Sequence, residues 1–204
     1  MSVTEIKPTT NGAAPLIELE EPYNVTFRIN GTAALLLHAW NNEAVKEKAN
    51  AKKNSTAKKT DNLESYVYRC DDGTIGVPGY YVHGAIREAA RFRQDPRSPR
   101  KSAMDLYKAA IAPLTQVASL GATDWEYIDR RRAVVQRNAI TRERPAFLPG
   151  WELAFDFVVT LPEYVQPDAL LDVLVLAGRV IGIGDHRPTY GRFQVTAFEV
   201  ITLD

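Results

Sequence analysis

The chain of 204 residues is poor in the residues that hold metals or crosslinks, with one cysteine and three histidines. A lone Cys70 excludes an intramolecular disulfide framework and a multi-cysteine zinc site. Its setting, Tyr66-Val67-Tyr68-Arg69-Cys70, reads as a strand, so Cys70 reads as a small core residue. His38, His83 and His186 do not sit at metal-ligand spacing, and no HExxH-type pair exists. No metal and no cofactor is therefore expected. Long hydrophobic runs are also missing. Ala33–Trp40 is broken by His38, and Ala169–Ile183 is interrupted by Asp172 and Arg179. Both are too short to span a bilayer. The N-terminus lacks the basic-then-apolar order of a signal peptide, so a cytoplasmic protein with no membrane partner is expected.

Net charge is absent too, because 25 Lys and Arg balance 25 Asp and Glu. The zero conceals segregation. Residues 46–60, 87–101 and 130–144 hold 18 basic and 4 acidic residues, a net +14, which leaves −14 on the other 159 positions. Neutrality argues against a nonspecifically sticky polycation, whereas three basic blocks argue for a localised positive surface. Hydrophobic content of 45% and charged content of 25% fit a globular chain and exclude a mostly disordered one.

Residues 1–21, rich in Pro, Thr, Gly and Glu, read as a mobile tail, and 22–204 as one domain. Tyr23, Val25, Phe27 and Ile29 alternate with polar residues, the mark of a half-buried strand. Ala33–Trp40 reads as a strand or short helix. A Lys-rich insertion near 44–62 lacks large apolar side chains over Lys46–Thr60. Glu64–Cys70 alternates as a strand, and Asp71-Asp72-Gly73 is a turn signal. Pro78-Gly79 precedes a helix to about Arg93, with His83, Arg87 and Arg91 four apart on a polar stripe. Ala103–Ile111 reads as a second helix, and Trp125–Gln136 as extended structure. A strand over Trp151–Val159, a helix opened by Pro167, a glycine-rich loop over Gly182–Gly191 and a strand over Phe193–Ile201 follow. That order predicts an α+β fold: a ferredoxin-like, RRM-like antiparallel sheet core with helices on one face and basic insertions.

Each basic element has a functional and a bland reading. Lys46, Lys48, Lys52, Lys53, Lys58 and Lys59 form a flexible arm on a phosphate backbone, or a solvated loop. Arg130, Arg131, Arg132 and Arg137 fork onto phosphates and stack on bases, or pair with the surplus carboxylates. The glycine loop, with Arg187 and Arg192 in or beside it, is a phosphate cradle or a tight helix-to-strand connection. It is neither a P-loop nor a dinucleotide fingerprint, which argues against nucleotide hydrolases and dehydrogenases. Tyr66, Tyr68, Tyr80 and Tyr81 are base-stacking or core residues. His38 or His83 is a candidate general base for metal-independent RNA cleavage, and His83 is otherwise a ligand-facing or helix-surface residue.

Three segments together resemble the RAMP superfamily of CRISPR-associated RNA-binding proteins, particularly its repeating backbone subunits. They are Val77-Pro78-Gly79-Tyr80-Tyr81-Val82-His83-Gly84-Ala85-Ile86-Arg87, Ile128-Asp129-Arg130-Arg131 through Leu148-Pro149-Gly150-Trp151-Glu152-Leu153-Ala154-Phe155, and Gly182–Phe193. Where the family ends its loop in Gly-x-Gly, this chain has Gly191-Arg192-Phe193. The Lys-rich insertion and the Gly-Ile-Gly-Asp-x-Arg-Pro stretch also resemble phage-encoded proteins. The leading expectation is a non-enzymatic protein that binds single-stranded RNA or DNA through its RRM-like sheet core and repeats along the strand as a homo-oligomeric filament or ring. The expected backbone contacts are His83, Arg87, Arg91, Arg187, Arg192 and the Lys and Arg blocks. A metal-independent endoribonuclease and a phage assembly or partner-binding protein are the alternatives.

Overall fold

The computed structural model describes residues 3–5, 19–39, 50, 62–135 and 138–202. In chain order, β1 (Val3–Glu5), β2 (Tyr23–Gly31) and β3 (Leu35–Leu36) come first. A 3-10 turn over Leu63–Tyr66, β4 (Tyr68–Arg69) and β5 (Ile75–Pro78) lead into α1 (Gly79–Ala90). A small hairpin of β6 (Gln94–Asp95) and β7 (Ser98–Ser102) precedes α2 (Met104–Ala110), β8 (Ile111–Pro113) and β9 (Val117–Ser119). A long arm pairs β10 (Tyr127–Val135) with β11 (Asn138–Phe147). The chain closes with β12 (Glu152–Val159), α3 (Pro167–Val180) and β13 (Phe193–Thr202).

The central strands form because their apolar residues recur with period two. Tyr23, Val25, Phe27 and Ile29 of β2, and Leu153, Phe155, Phe157 and Val159 of β12, are all buried on one face. In β13 a register shift between Val195 and Ala197 flips the alternation, so Phe193 and Val195 are buried before it and Phe198 and Val200 after it. The sheet order is β1-β13-β2-β12-β8, antiparallel at each pairing. Without the edge strand β1, this is the fourth, first, third and second strand of a βαββαβ unit, so the fold is α+β and ferredoxin-like. The buried stripe of α3, Leu170, Val173, Leu174 and Ala177, packs in the same core as Val82, Ala85, Ile86 and Ala89 of α1.

Several expectations need correction. The N-terminal stretch is not free where it is described. Val3–Glu5 pairs with Glu199–Ile201, and the Leu19 backbone exchanges two hydrogen bonds with the Gln166 side chain, both 2.9 Å. Glu64–Cys70 is not one strand. Ser65 donates through both its amide and its hydroxyl to the Asn62 carbonyl, which bends the chain into the 3-10 turn. Arg69 then grips Glu64 at 2.8 and 2.9 Å, which leaves two residues to pair with β5. Of Ala33–Trp40, whose last residue lies outside the described ones, Leu35–Leu36 forms a strand against the end of β11, and the other described residues do not. Helix α1 stops at Ala90, where the amides of Phe92 and Arg93 turn back to Ala89 and Ala90.

Connectivity gathers distant segments. Asn30, near the end of β2, pairs with Glu152 at the start of β12 and with Gln194 at the start of β13. At this one end the chain leaves β2 toward α1, returns from the arm into β12, and returns from the glycine loop into β13.

Candidate nucleic-acid interface

The glycine loop joins α3 to β13 and is pinned at its base. Ile183 donates to the Gly191 carbonyl at 2.9 Å, and Gly191 donates to the Ala34 carbonyl at 2.8 Å. Gly191 has φ +69°, and a Cβ there would collide with the Ile183 carbonyl, so glycine is required at this crossing. The bland reading of a tight helix-to-strand connection accounts for that residue. Farther out, Gly184 and His186 also have positive φ, and residues 186–189 are exposed.

Asp185 anchors the middle of the loop. Its amide donates to the Leu36 carbonyl at 2.9 Å, and its Oδ2 accepts from Arg144 Nε at 2.7 Å. His38 Nδ1 lies 3.6 Å from the same oxygen, and the His186 amide donates to Oδ1 at 3.0 Å. Burial pushes the Asp185 carboxyl up, but the Arg144 guanidinium and the His186 amide outweigh it and hold the group below the usual carboxylate value. Arg144 is itself buried, with its guanidinium 5.3 Å from the Tyr66 ring centre. Tyr66 also meets the His38 ring edge-on at 4.6 Å.

Between this loop and α1 runs a cleft of two adjoining cavities, of about 420 and 320 Å³. Gly184 and Arg187 line both. Glu88, Val180, Ile181 and Pro188 line the larger, and Tyr80, Tyr81 and Gly84 the smaller. A Cβ on Gly84 would meet nothing, so this glycine leaves the floor of the cleft low. Tyr80 is 53% exposed and packs edge-on to Tyr81 at 5.0 Å, and its hydroxyl meets that of Tyr68 at 2.7 Å. Burial and the Tyr68 hydrogen bond push the Tyr80 phenol up to about 12, and burial raises Tyr81 as well. Both are neutral at physiological pH and offer ring faces and O–H groups.

The sequence-predicted residues divide among different settings. Arg187 is exposed between the two cavities and has no carboxylate partner among the described residues. Arg192 is exposed at the foot of β13, where its carbonyl accepts from the Thr32 and Ala33 amides. Arg87 and Arg91 both bond to Glu88, Arg87 at 3.2 Å. The expected stripe of His83, Arg87 and Arg91 splits. His83 is half-buried against the backbone of Tyr107 and Lys108, its Nε2 has no hydrogen-bond partner among the described residues, and burial lowers its pKa. Arg130 pairs across the arm with Glu143 at 2.7 Å, as the reading of Arg paired with surplus carboxylates expected. Arg131 bonds Asp129 and stacks over the Tyr190 ring at 4.3 Å, which ties the arm to the glycine loop. Arg132 stands in β10 opposite Thr141. Arg137 and Lys46, Lys48, Lys52, Lys53, Lys58 and Lys59 lie outside the described residues.

Glu88, Asp185 and Arg144 carry structure at the site that sequence reasoning missed. Glu88 counted only as a minor charge within a basic block, although its place between Arg87 and Arg91 on one helix was a usable signal. The open face of the central sheet, where an RRM-like protein would stack bases, has no aromatic side chain among its described residues. Glu152, Asp156 and Glu199 stand there against Arg28. That face repels phosphate.

No protein-family model matches the sequence, and no curated protein matches it. Among solved structures, the fold is similar to a chain from the cryo-EM structure of the Type III-B Cmr-beta bound to cognate target RNA. The TM-score is 0.55 at 11% identity, over 89% of this chain and 61% of that one, so this chain spans less than two thirds of its length. The likeness is one of fold, and it agrees with the α+β, ferredoxin-like architecture described above. Among the described residues, no helix is long and apolar enough to cross a membrane.

Proposed function

We propose that this protein binds single-stranded nucleic acid, RNA foremost, in the cleft between α1 and the glycine loop, and that copies repeat along the strand. The observation that carries the reading is Arg187, an exposed guanidinium without a described carboxylate partner, where an aromatic cavity and a second cavity meet. A guanidinium forks onto a phosphate, and exposed tyrosines stack on unpaired bases whatever their identity. The similar chain comes from a complex bound to target RNA, which supports RNA as ligand. The Lys46–Lys59 stretch would add contacts along the backbone, each releasing counterions. Labelled oligo-uridine and oligo-thymidine titrated at increasing salt test this. Affinity falls steeply with salt if the reading holds, and binding without a salt slope overturns it. Scattering of the protein with and without oligonucleotide tests the repeating assembly.

The endoribonuclease reading is kept by one observation, the Asp185 carboxylate facing His38 Nδ1, an arrangement that orients an imidazole as general base. Cleavage of labelled RNA in EDTA that is lost in His38→Ala would establish it. Intact RNA after prolonged incubation excludes it.

A further inference from the structure

We propose that the larger cavity is a pocket for one unstacked guanine of the bound strand, with Glu88 as the residue that reads it. This rests on the cleft being the nucleic-acid track. A carboxylate on the wall of a polyanion site repels phosphate, so the group it faces must be a hydrogen-bond donor. Asp185 is already occupied by Arg144, His38 and the His186 amide. Glu88 is differently placed. One oxygen accepts from Arg87 and the other from Arg91, both close by along the chain. An ionised carboxylate has about four acceptor sites, so each oxygen retains capacity toward the cavity. The two guanidiniums also offset its charge and fix its plane.

The rest of the cavity suits a base rather than a phosphate. Val180, Ile181 and Pro188 give apolar wall for a ring face, Asp185 and His186 complete the polar side, and Arg187, shared with the adjoining cavity, stands where the neighbouring phosphate falls. A volume of about 420 Å³ admits one nucleotide. Among the four bases, guanine alone presents two N–H groups side by side on its pairing edge, N1–H and N2–H, matching two carboxylate oxygens. Adenine, cytosine and uracil each place a ring nitrogen or carbonyl acceptor beside their donor, and that lone pair would oppose the second oxygen of Glu88.

The test compares oligo-uridines carrying one central guanosine, inosine or adenosine, by fluorescence anisotropy. Inosine lacks the N2 amino group alone. The guanosine oligomer should bind at least about fivefold tighter than the inosine one, the lower end for a two-bond base contact. Glu88→Gln, which substitutes an amide for one acceptor oxygen, should erase that difference, and a guanosine preference that survives the substitution overturns Glu88 as the residue that reads the base. Equal affinities for guanosine and inosine oligomers in the wild-type protein, with oligo-uridine bound normally, overturn the guanine pocket. Failure of every oligomer to bind overturns the cleft reading beneath it.

Discussion

Replacing Asp185 with Asn removes one charge and little volume from the point where the glycine loop is anchored. Arg144 is 9% exposed by side chain and Asp185 29%, so the pair lies between a surface bridge and a buried one. Exposed pairs contribute up to about 1 kcal/mol, and breaking a fully buried pair costs about 3–5 kcal/mol. The asparagine oxygen still accepts from Arg144 Nε but without charge assistance, so a loss of about 2 kcal/mol is expected. For a chain of this size the thermal midpoint should fall by about 4–8 °C. The acid limb gives an independent check. The folded-state pKa of Asp185 is lowered, so its contribution is fully present above the unfolded-state pKa and is lost as pH falls through the folded value. The stability gap between wild type and Asp185→Asn should therefore narrow as pH drops below the ordinary aspartate range. Asp95, held at about 2 by Arg97, titrates alike in both proteins and drops out of the difference. Circular dichroism melts over a pH series measure it. A midpoint within about 1 °C of wild type at neutral pH would refute the anchor.

Arg187→Ala should weaken oligonucleotide binding and reduce the logarithmic salt slope by about one unit, the signature of one lost phosphate contact. Arg28→Ala, on the open sheet face, should leave both unchanged, and the reverse pattern would move the interface to the sheet. Gly191→Ala forces a side chain into φ +69° against the Ile183 carbonyl. It should destabilise the fold by at least about 1–2 kcal/mol in urea titrations, and a neutral result would contradict the described crossing.

The sheet was legible because Tyr23–Ile29, Trp151–Val159 and Phe193–Ile201 are half-buried strands, and period-two alternation is the imprint of one covered face. The helices from Gly79 and Pro167 were legible for the matching reason at period 3.6. The segment around Tyr66 was not, because its conformation depends on Ser65 bonding to Asn62 and Arg69 reaching Glu64. Alternation does not encode such local side-chain choices. At the site, Arg187 stood out by its place in the glycine loop. Arg144 and Asp185 did not, since 41 residues separate them and composition counts Arg144 with its block. Arg130 and Arg131 illustrate the same limit, because a run of arginines does not reveal which are spent on Glu143, Asp129 and Tyr190.

Strand β13 follows every other described element in the chain yet sits second in the sheet, between β1 and β2. The glycine loop hangs from its first residues, through the Gly191 amide on Ala34 and the Arg192 carbonyl under Thr32 and Ala33. Those backbone bonds give the cleft and the sheet a common foundation, because the loop that carries Arg187 is seated only where β13 lies beside β2. A ligand that binds only the seated loop would stabilise the seating of β13 by mass action, so the proposed binding and the completeness of the sheet are thermodynamically linked.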